Sequence, residues 1–253
     1  MKKYANSLMK RLIPILLACL ALGCTNPKST QNTTAQTDSL LCVLHERDQQ
    51  IRHKLLSVQQ AYIAEQRTEL IDSIVMLVAE QDRADSLNRV AVDSLLQNGW
   101  PEGLSEQSNR TIWLIIDHAD VEYQERYLPL IEQQAVRGTI SPSDYATLLD
   151  RVNVRRQRPQ RFGTQTGYKQ RDDEVFTFVY PIEDIDALDS LRLSVGLDSM
   201  HLYLRQVSET LGTEVKIDSG LTWEEIEAQY YIKPESLQTV DVLQIPLYKQ
   251  RDS

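Results

Sequence analysis

SNRTIWLIIDHA, residues 108–119, decides the fold class. Ile112, Trp113, Ile115 and Ile116 crowd a dozen positions, and no Gly or Pro interrupts them. The spacing predicts a strongly buried helix. The longest apolar run inside it, Ile112 to Ile116, is far too short to span a bilayer, which takes about 20 residues. Working outward, Glu122 to Arg137 repeats the pattern with Tyr123, Tyr127, Leu130 and Ile131. Pro129 is expected to kink or divide this stretch, which ends near Gly138. Ser141-Pro142-Ser143-Asp144 is a helix start, with Ser as N-cap, Pro at N1 and an acid at N3. The helix that follows carries Tyr145, Leu148, Leu149 and Val152.

Upstream, Leu40, Leu44, Ile51, Leu55, Val58 and Tyr62 fall at helical steps from Asp38 or Ser39. A second stripe runs through Ile71, Ile74, Val75 and Val78. A third uses Leu87, Val90, Leu95 and Leu96, and Gly99-Trp100-Pro101 stops it. Downstream of the core the period changes. Phe162 to Lys169 and Val175 to Tyr180 are rich in Thr, Val and aromatics, with Arg171-Asp172-Asp173 between them, and predict a β-hairpin. Short helices return over 185–193, 200–211 and 223–231, and the last twenty residues look extended. The expected fold is mainly α: a single helical domain, 39–214, with a small β-hairpin and a C-terminal extension, 215–253, packed on it.

The N-terminus carries a different signal. Met9-Lys10-Arg11 precedes an apolar run from Leu12 to Leu22 and then Gly23-Cys24. That is a cationic n-region, an h-region of about a dozen residues, and a small residue before Cys, the layout of a bacterial lipoprotein signal peptide over 1–23. Cys24 is the expected lipidated residue. Cys19 is the rival and leaves a shorter h-region; Met9 is an alternative start to Met1. Acyl chains on Cys24 would anchor the protein to a membrane without spanning it, since each buried methylene contributes about 0.8 kcal/mol. Residues 24–38, polar apart from Ala35, are expected to form a flexible linker. The implied address is the cell envelope, and the outer membrane rather than the inner, because Thr25 follows the Cys.

Composition narrows the function classes. The chain has 27 basic and 36 acidic side chains and a net charge of −9. Loss of Lys2, Lys3, Lys10 and Arg11 with the signal peptide leaves 23 basic against the same 36, or −13. So acidic a body repels nucleic acid, and no nucleic-acid partner is expected. With Cys19 removed and Cys24 acylated, only Cys42 remains as a thiol. No intrachain disulfide is then possible, and Cys42 itself is expected to be buried as a small apolar residue.

Candidate chemistry is sparse. His118 with Asp120 is the most suggestive pair, a His beside carboxylates that could relay a proton. The other His residues, at 45, 53 and 201, are not at ligand spacing, so no metal site and no cofactor is expected. Asp150 and Arg151, with Arg52 as a possible partner for Asp150, could receive an anionic group or form a structural ion-pair network. The basic stretch Arg155 to Arg161 carries the same two readings. Gly163-Thr164-Gln165-Thr166-Gly167, with Gln160, could line a polar pocket or form a plain turn.

Several marks in order resemble an uncharacterised bacterial family built on a domain of unknown function. They are Asp48-Gln49 with Arg52, Gly99-Trp100-Pro101, His118-Ala119-Asp120 with Gln124, Asp150-Arg151-Val152, and Pro159-Gln160 before Gly163-Thr164-Gln165. The chain departs from the pattern at Asp117, at Phe162 and at Gln157-Arg158. The resemblance covers about residues 40–205 and implies a helical fold but no activity. Two functions follow as expectations. The first is an envelope lipoprotein that binds a protein partner or small ligand. The second is a hydrolase-like enzyme, with His118 as acid or base, Asp120 orienting it, and Gln124, Asp150, Arg151, Gln160 and Gln165 holding substrate.

Overall fold

The computed structural model describes residues 27–65, 67–171, 174–212, 214–218 and 220–230. The expected signal peptide, Cys24 and the last twenty residues lie outside them. Helix α1 (Pro27–Glu65) and helix α2 (Ile71–Leu96) are joined through a turn of 3-10 helix at Thr68–Leu70. Asn88 donates to the Leu44 carbonyl, and Arg52 reaches Asp85. These cross-links run in opposite chain directions, so the two helices are antiparallel. Helices α3 (Glu106–Asp117), α4 (Val121–Val136) and α5 (Pro142–Arg155) complete the main body.

One large apolar cluster holds that body together. Leu41 and Leu44 of α1 and Val92 and Leu96 of α2 meet Ile112, Trp113 and Ile116 of α3, with Ile131 and Leu148 from α4 and α5. Beyond it, α1 and α2 continue as a two-helix arm sealed by Ile51, Leu55, Ile74, Leu77 and Ala84. A smaller cluster under the C-terminal half gathers Val179, Leu188, Met200 and Val215.

The mainly helical architecture and the single hairpin agree with the pattern read from the sequence. Several details differ. Leu40, Val75, Leu87 and Val90, expected on buried stripes, are exposed, while Leu41 is fully buried. The buried face of α1 runs 41, 44, 48, 51, 55 and 59, and Asp48 and Gln59 occupy two of those places. A stripe traced through apolar residues alone drifts off this frame. Cys42 is exposed for the same reason: it sits one position past the seam. The second and third stripes belong to one continuous helix, α2.

Helix α1 also begins eleven residues before Asp38, so 27–37 is helical and not an irregular linker. Ser105 fixes that end of the body, its N–H and hydroxyl both reaching Asp38 Oδ1 at 3.1 and 3.2 Å. Once a helix is nucleated and packed, propagation adds one hydrogen bond per residue without any apolar face. Helix α4 is continuous across Pro129, which lies on the exposed side, where the carbonyl freed by the missing N–H can meet water. Ser141 caps α5 as expected, accepting from the Asp144 N–H at 3.0 Å.

Strands β1 (Thr166–Arg171) and β2 (Glu174–Val179) form the antiparallel hairpin, Thr166 opposite Val179 and Arg171 opposite Glu174. The first strand starts four residues later than its composition suggests, because 160–165 are tied down as a loop. Helices α6 (Leu188–Ser194), α7 (Met200–Leu211) and α8 (Trp223–Tyr230) follow. Leu221 and Ile226 pack on Phe178, which brings the C-terminal extension, as far as Tyr230, onto the hairpin. Gln157 sits in the left-handed region at φ 55°, the one described non-glycine residue to do so.

Candidate functional site

A polar set separates the large core from the two-helix arm. On α1, Asp48 takes a place on the buried stripe between Leu44 and Ile51 and is 1% exposed. Its Oδ1 accepts from His118 Nδ1 at 3.0 Å and pairs with Arg52 at 2.9 Å, and its Oδ2 accepts from the Gln49 amide at 2.7 Å. Arg52 in turn grips Asp85 of α2 with two nitrogens, each at 3.0 Å. Three charges and an imidazole are thus bound in series across α1, α2 and the end of α3.

Burial works against the charged form of Asp48, but the hydrogen bond and charge of His118, with Arg52 and Gln49, outweigh it and hold the carboxyl below its ordinary range. Asp85 shifts the other way. Burial raises it, and the Arg52 contact only partly offsets that. An ionised Asp48 has no proton to give, so the ring hydrogen in the Asp48–His118 bond belongs to Nδ1. Whenever the ring is neutral its lone pair then sits on Nε2, and His118 lines an open cleft.

The cleft has a volume of about 590 Å³. Helix α2 supplies Asp82, Asp85, Ser86 and Arg89 to one wall; the α3–α4 turn supplies His118, Ala119 and Asp120 to the other; α5 closes it with Arg155. Asp120 is the N-cap of α4, accepting from the Tyr123 N–H at 2.9 Å, and lies 3.7 Å from Arg89. Arg89 also donates to Ser86 Oγ at 3.3 Å. Arg155 donates to the Ala119 carbonyl at 2.6 Å. Burial, and then the neighbouring Arg151, lower its pKa. Its next neighbour, Arg156, turns away to Glu122 and Glu125 at 3.2 and 2.6 Å.

Behind the cleft wall lies a second buried group. Asp117 pairs with Arg151 at 2.9 Å, and its carbonyl accepts from the Gln124 amide at 2.6 Å. Asp117 Oδ1, Gln124 Oε1 and Arg151 Nε are buried without a hydrogen-bond partner among the described residues. This group braces the turn that presents His118.

Asp150, Gln160 and Gln165 lie in a third place, the loop before β1. Asp150 is fully buried. It accepts from the N–H groups of Arg161, Phe162 and Thr164 at 2.8–3.2 Å and from the Thr164 hydroxyl at 3.0 Å. It pairs with neither Arg52 nor Arg151, whose partners are Asp85 and Asp48 for the first and Asp117 for the second. Burial raises the Asp150 pKa although the loop's N–H groups pull it down. Arg192, 1% exposed, holds the other side of the loop through the Phe162 and Gly163 carbonyls. Gln160 closes the loop, accepting from the Gln165 N–H at 2.6 Å and donating to the Gln165 and Tyr180 carbonyls, both at 3.0 Å. Gly163 takes φ +63° there, with Ile182, Leu188 and Met200 atoms 3.5 Å from where a Cβ would stand.

Of the residues singled out from the sequence, the structure brings His118 and Asp120 into one cleft. Gln124 and Arg151 stand behind it, and Asp150, Gln160 and Gln165 are spent on the loop. The carboxylate that orients His118 is Asp48, not Asp120, whose oxygen serves the α4 N-terminus. Asp85 and Arg89 are the cleft residues that motif reading passed over, while Arg155 is the one member of the basic stretch 155–161 that reaches the cleft. The available signal was an acidic residue at a core step of an amphipathic helix: Asp48 follows Leu41 and Leu44 by seven and four. Among the described residues, no group of three His, Cys, Asp or Glu side chains is placed to hold a metal ion.

Neither the curated proteins nor the solved structures include a match to this chain. A family model does match, over residues 35–216. The matched span opens inside α1 and closes at Lys216, which bridges to Phe178 of β2, so it encloses the cleft, the braced turn and the Asp150 loop together. The chain therefore belongs to the family of unknown function DUF6624.

Proposed function

We propose that this protein is a lipid-anchored envelope protein whose helical domain takes a small polar ligand into the cleft at His118. The observation that carries the ligand reading is the Asp48–His118 pair. A buried carboxylate orients a ring that lines an open cleft, and a ligand site needs such a preset polar group. The anchor rests on the sequence from Met9 to Cys24, and no described helix is long and apolar enough to cross a membrane.

Anchoring at Cys24 gives the helical start of α1 a role. Only Thr25 and Asn26 separate that Cys from Pro27, so residues 27–37 become a stiff stalk of about 16 Å. Asp48 then stands roughly 30 Å along the α1 axis from the stalk's base, which puts the cleft in the aqueous phase rather than among headgroups. Outer-membrane placement, following from Thr25 after the Cys, belongs to the same proposal, as does the absence of a nucleic-acid partner.

Proton-transfer chemistry is the second reading, favoured by the same pair. A carboxylate behind Nδ1 stabilises the imidazolium that forms when Nε2 takes a proton. Ser86 is the hydroxyl among the cleft residues, and Arg89 already donates to it. A hydrolytic role for His118 would then act on water or on Ser86.

One experiment tests anchor and site together. The full-length chain is expressed with labelled palmitate, recovered from membranes in detergent, and screened with small polar metabolites by thermal shift. Wild type should carry label, and Cys24→Ala should carry none and leave the membrane fraction. A stabilising compound should lose its effect with His118→Gln. Label retained by Cys24→Ala removes the anchor assignment, and a stabilising compound indifferent to His118 removes the site.

A further inference from the structure

We infer that the ligand of this cleft carries an anionic oxygen group, a phosphate or a carboxylate, gripped by Arg155 and Arg89 at the N-terminus of α4; this rests on the cleft reading above. Asp85 is held bidentately by Arg52. Asp120 spends one oxygen on the α4 cap and faces Arg89 with the other. Glu122, which also lines the cleft, pairs with Arg156. Asp82 is exposed to solvent. The acidic groups of the cleft interior are thus already compensated.

The cations are compensated less fully. Arg155 spends one donor on a neutral carbonyl, Ala119 O, and makes no ion pair within 4 Å among the described residues. Its guanidinium has five N–H donors, and the residue as a whole stays exposed, so a ligand can reach those left unused. Arg89 meets Asp120 only at 3.7 Å and otherwise touches a hydroxyl. Between them the first turn of α4 presents the N–H groups of Val121 and Glu122, which have no acceptor among the described residues, and both residues line the cleft. Two under-compensated guanidinium groups beside free helix N-terminal N–H groups form a receptor for an oxyanion. The arrangement also relocates the anion-binding role from Arg151, which Asp117 already occupies, to Arg155, one helical turn further along α5.

The test uses the full-length chain in a non-ionic detergent. Inorganic phosphate and acetate are titrated separately at constant ionic strength, and the His118 side-chain NMR signal and the melting temperature are followed. At least one anion should move both readouts saturably, and comparison of the two arms identifies the oxygen group. Arg155→Gln and Arg89→Gln should each weaken that binding tenfold or more. Arg155→Lys, which keeps a charge and a donor for Ala119 O, should weaken it less, and Arg205→Gln on the distant α7 should leave it unchanged. The inference is overturned if neither anion binds while a neutral or cationic probe shifts His118, an outcome that leaves the cleft reading standing. It is also overturned if anion binding persists in both Gln variants. Binding that never moves the His118 signal overturns this inference and the cleft reading together.

Discussion

Asp48→Ala should cost about 3 kcal/mol of folding stability, read as a fall in the urea midpoint without a change in slope. Removing one partner of a buried ion pair typically costs 3–5 kcal/mol, because the partners left behind stay desolvated. The lower end applies here because Arg52 keeps both of its contacts to Asp85. What is lost is the acceptor for His118 Nδ1 and the charge between the large core and the two-helix arm. Asp48→Asn, which keeps an acceptor oxygen, should cost less. The pH dependence has a definite sign. Asp48 has a lowered folded pKa, so its contribution is fully present above the ordinary carboxylate range and is lost as pH falls through the lower folded value. Wild type and Asp48→Asn should therefore converge in stability below about pH 4. Asp85, raised chiefly by burial and in lesser part by the Asp48 charge, acts oppositely, so the difference between the two proteins reports Asp48 together with that smaller response of Asp85. A difference that persists unchanged down to pH 2 would contradict the ionised pair.

Asp150→Ala should cost roughly 4 kcal/mol, with the damage concentrated in the C-terminal half. The side chain serves three backbone N–H groups and a hydroxyl from a fully buried position, and each buried donor left without a partner costs about 1–3 kcal/mol. Arg192 would lose the favourable charge facing it while still holding the Phe162 and Gly163 carbonyls. Amide hydrogen exchange should accelerate first around Phe162, Thr164 and Gln165 and then in α6 and α7, while α1 to α4 keep their protection. Asp150→Asn should lose about half as much, because a neutral amide accepts through one oxygen and avoids the desolvation that raises the Asp150 pKa. A loss below about 1 kcal/mol for the Ala variant would mean that the loop's donors are satisfied by other groups.

Much of the fold was legible because helices bury stripes. Ile112, Trp113, Ile115 and Ile116 announced the central helix, and Ser141-Pro142 with Asp144 announced the start of α5 to the residue. The hairpin followed from a change of period. The errors share one cause: the buried surface is partly polar. Asp48, Gln59 and Asn88 occupy core positions, so a frame traced through apolar residues alone misassigned Leu40, Val75, Leu87 and Val90.

The site was legible only in part. His118 stood out as a lone imidazole among carboxylates. Its true partner lies seventy residues upstream, and sequence proximity pointed to Asp120 instead. Asp150, Gln160 and Gln165 looked like ligand-facing groups because they are polar and clustered. Their actual work is to satisfy a buried loop, and only coordinates distinguish a polar residue that faces a ligand from one that faces backbone. Arg89 belongs to no motif, and Arg155 stood out only as the start of a basic stretch; the fold carries both to the cleft.

The most direct check on all of this is the protonation site of one ring. Long-range proton–nitrogen NMR of the side chain, at a pH where His118 is neutral, reads which nitrogen bears the hydrogen. The Asp48 brace requires hydrogen on Nδ1 and a bare Nε2 turned to the cleft, with Asp48→Ala releasing that preference. Hydrogen found on Nε2 in the wild-type protein would mean that Asp48 does not orient His118, and the cleft would lose the group on which its proposed role depends.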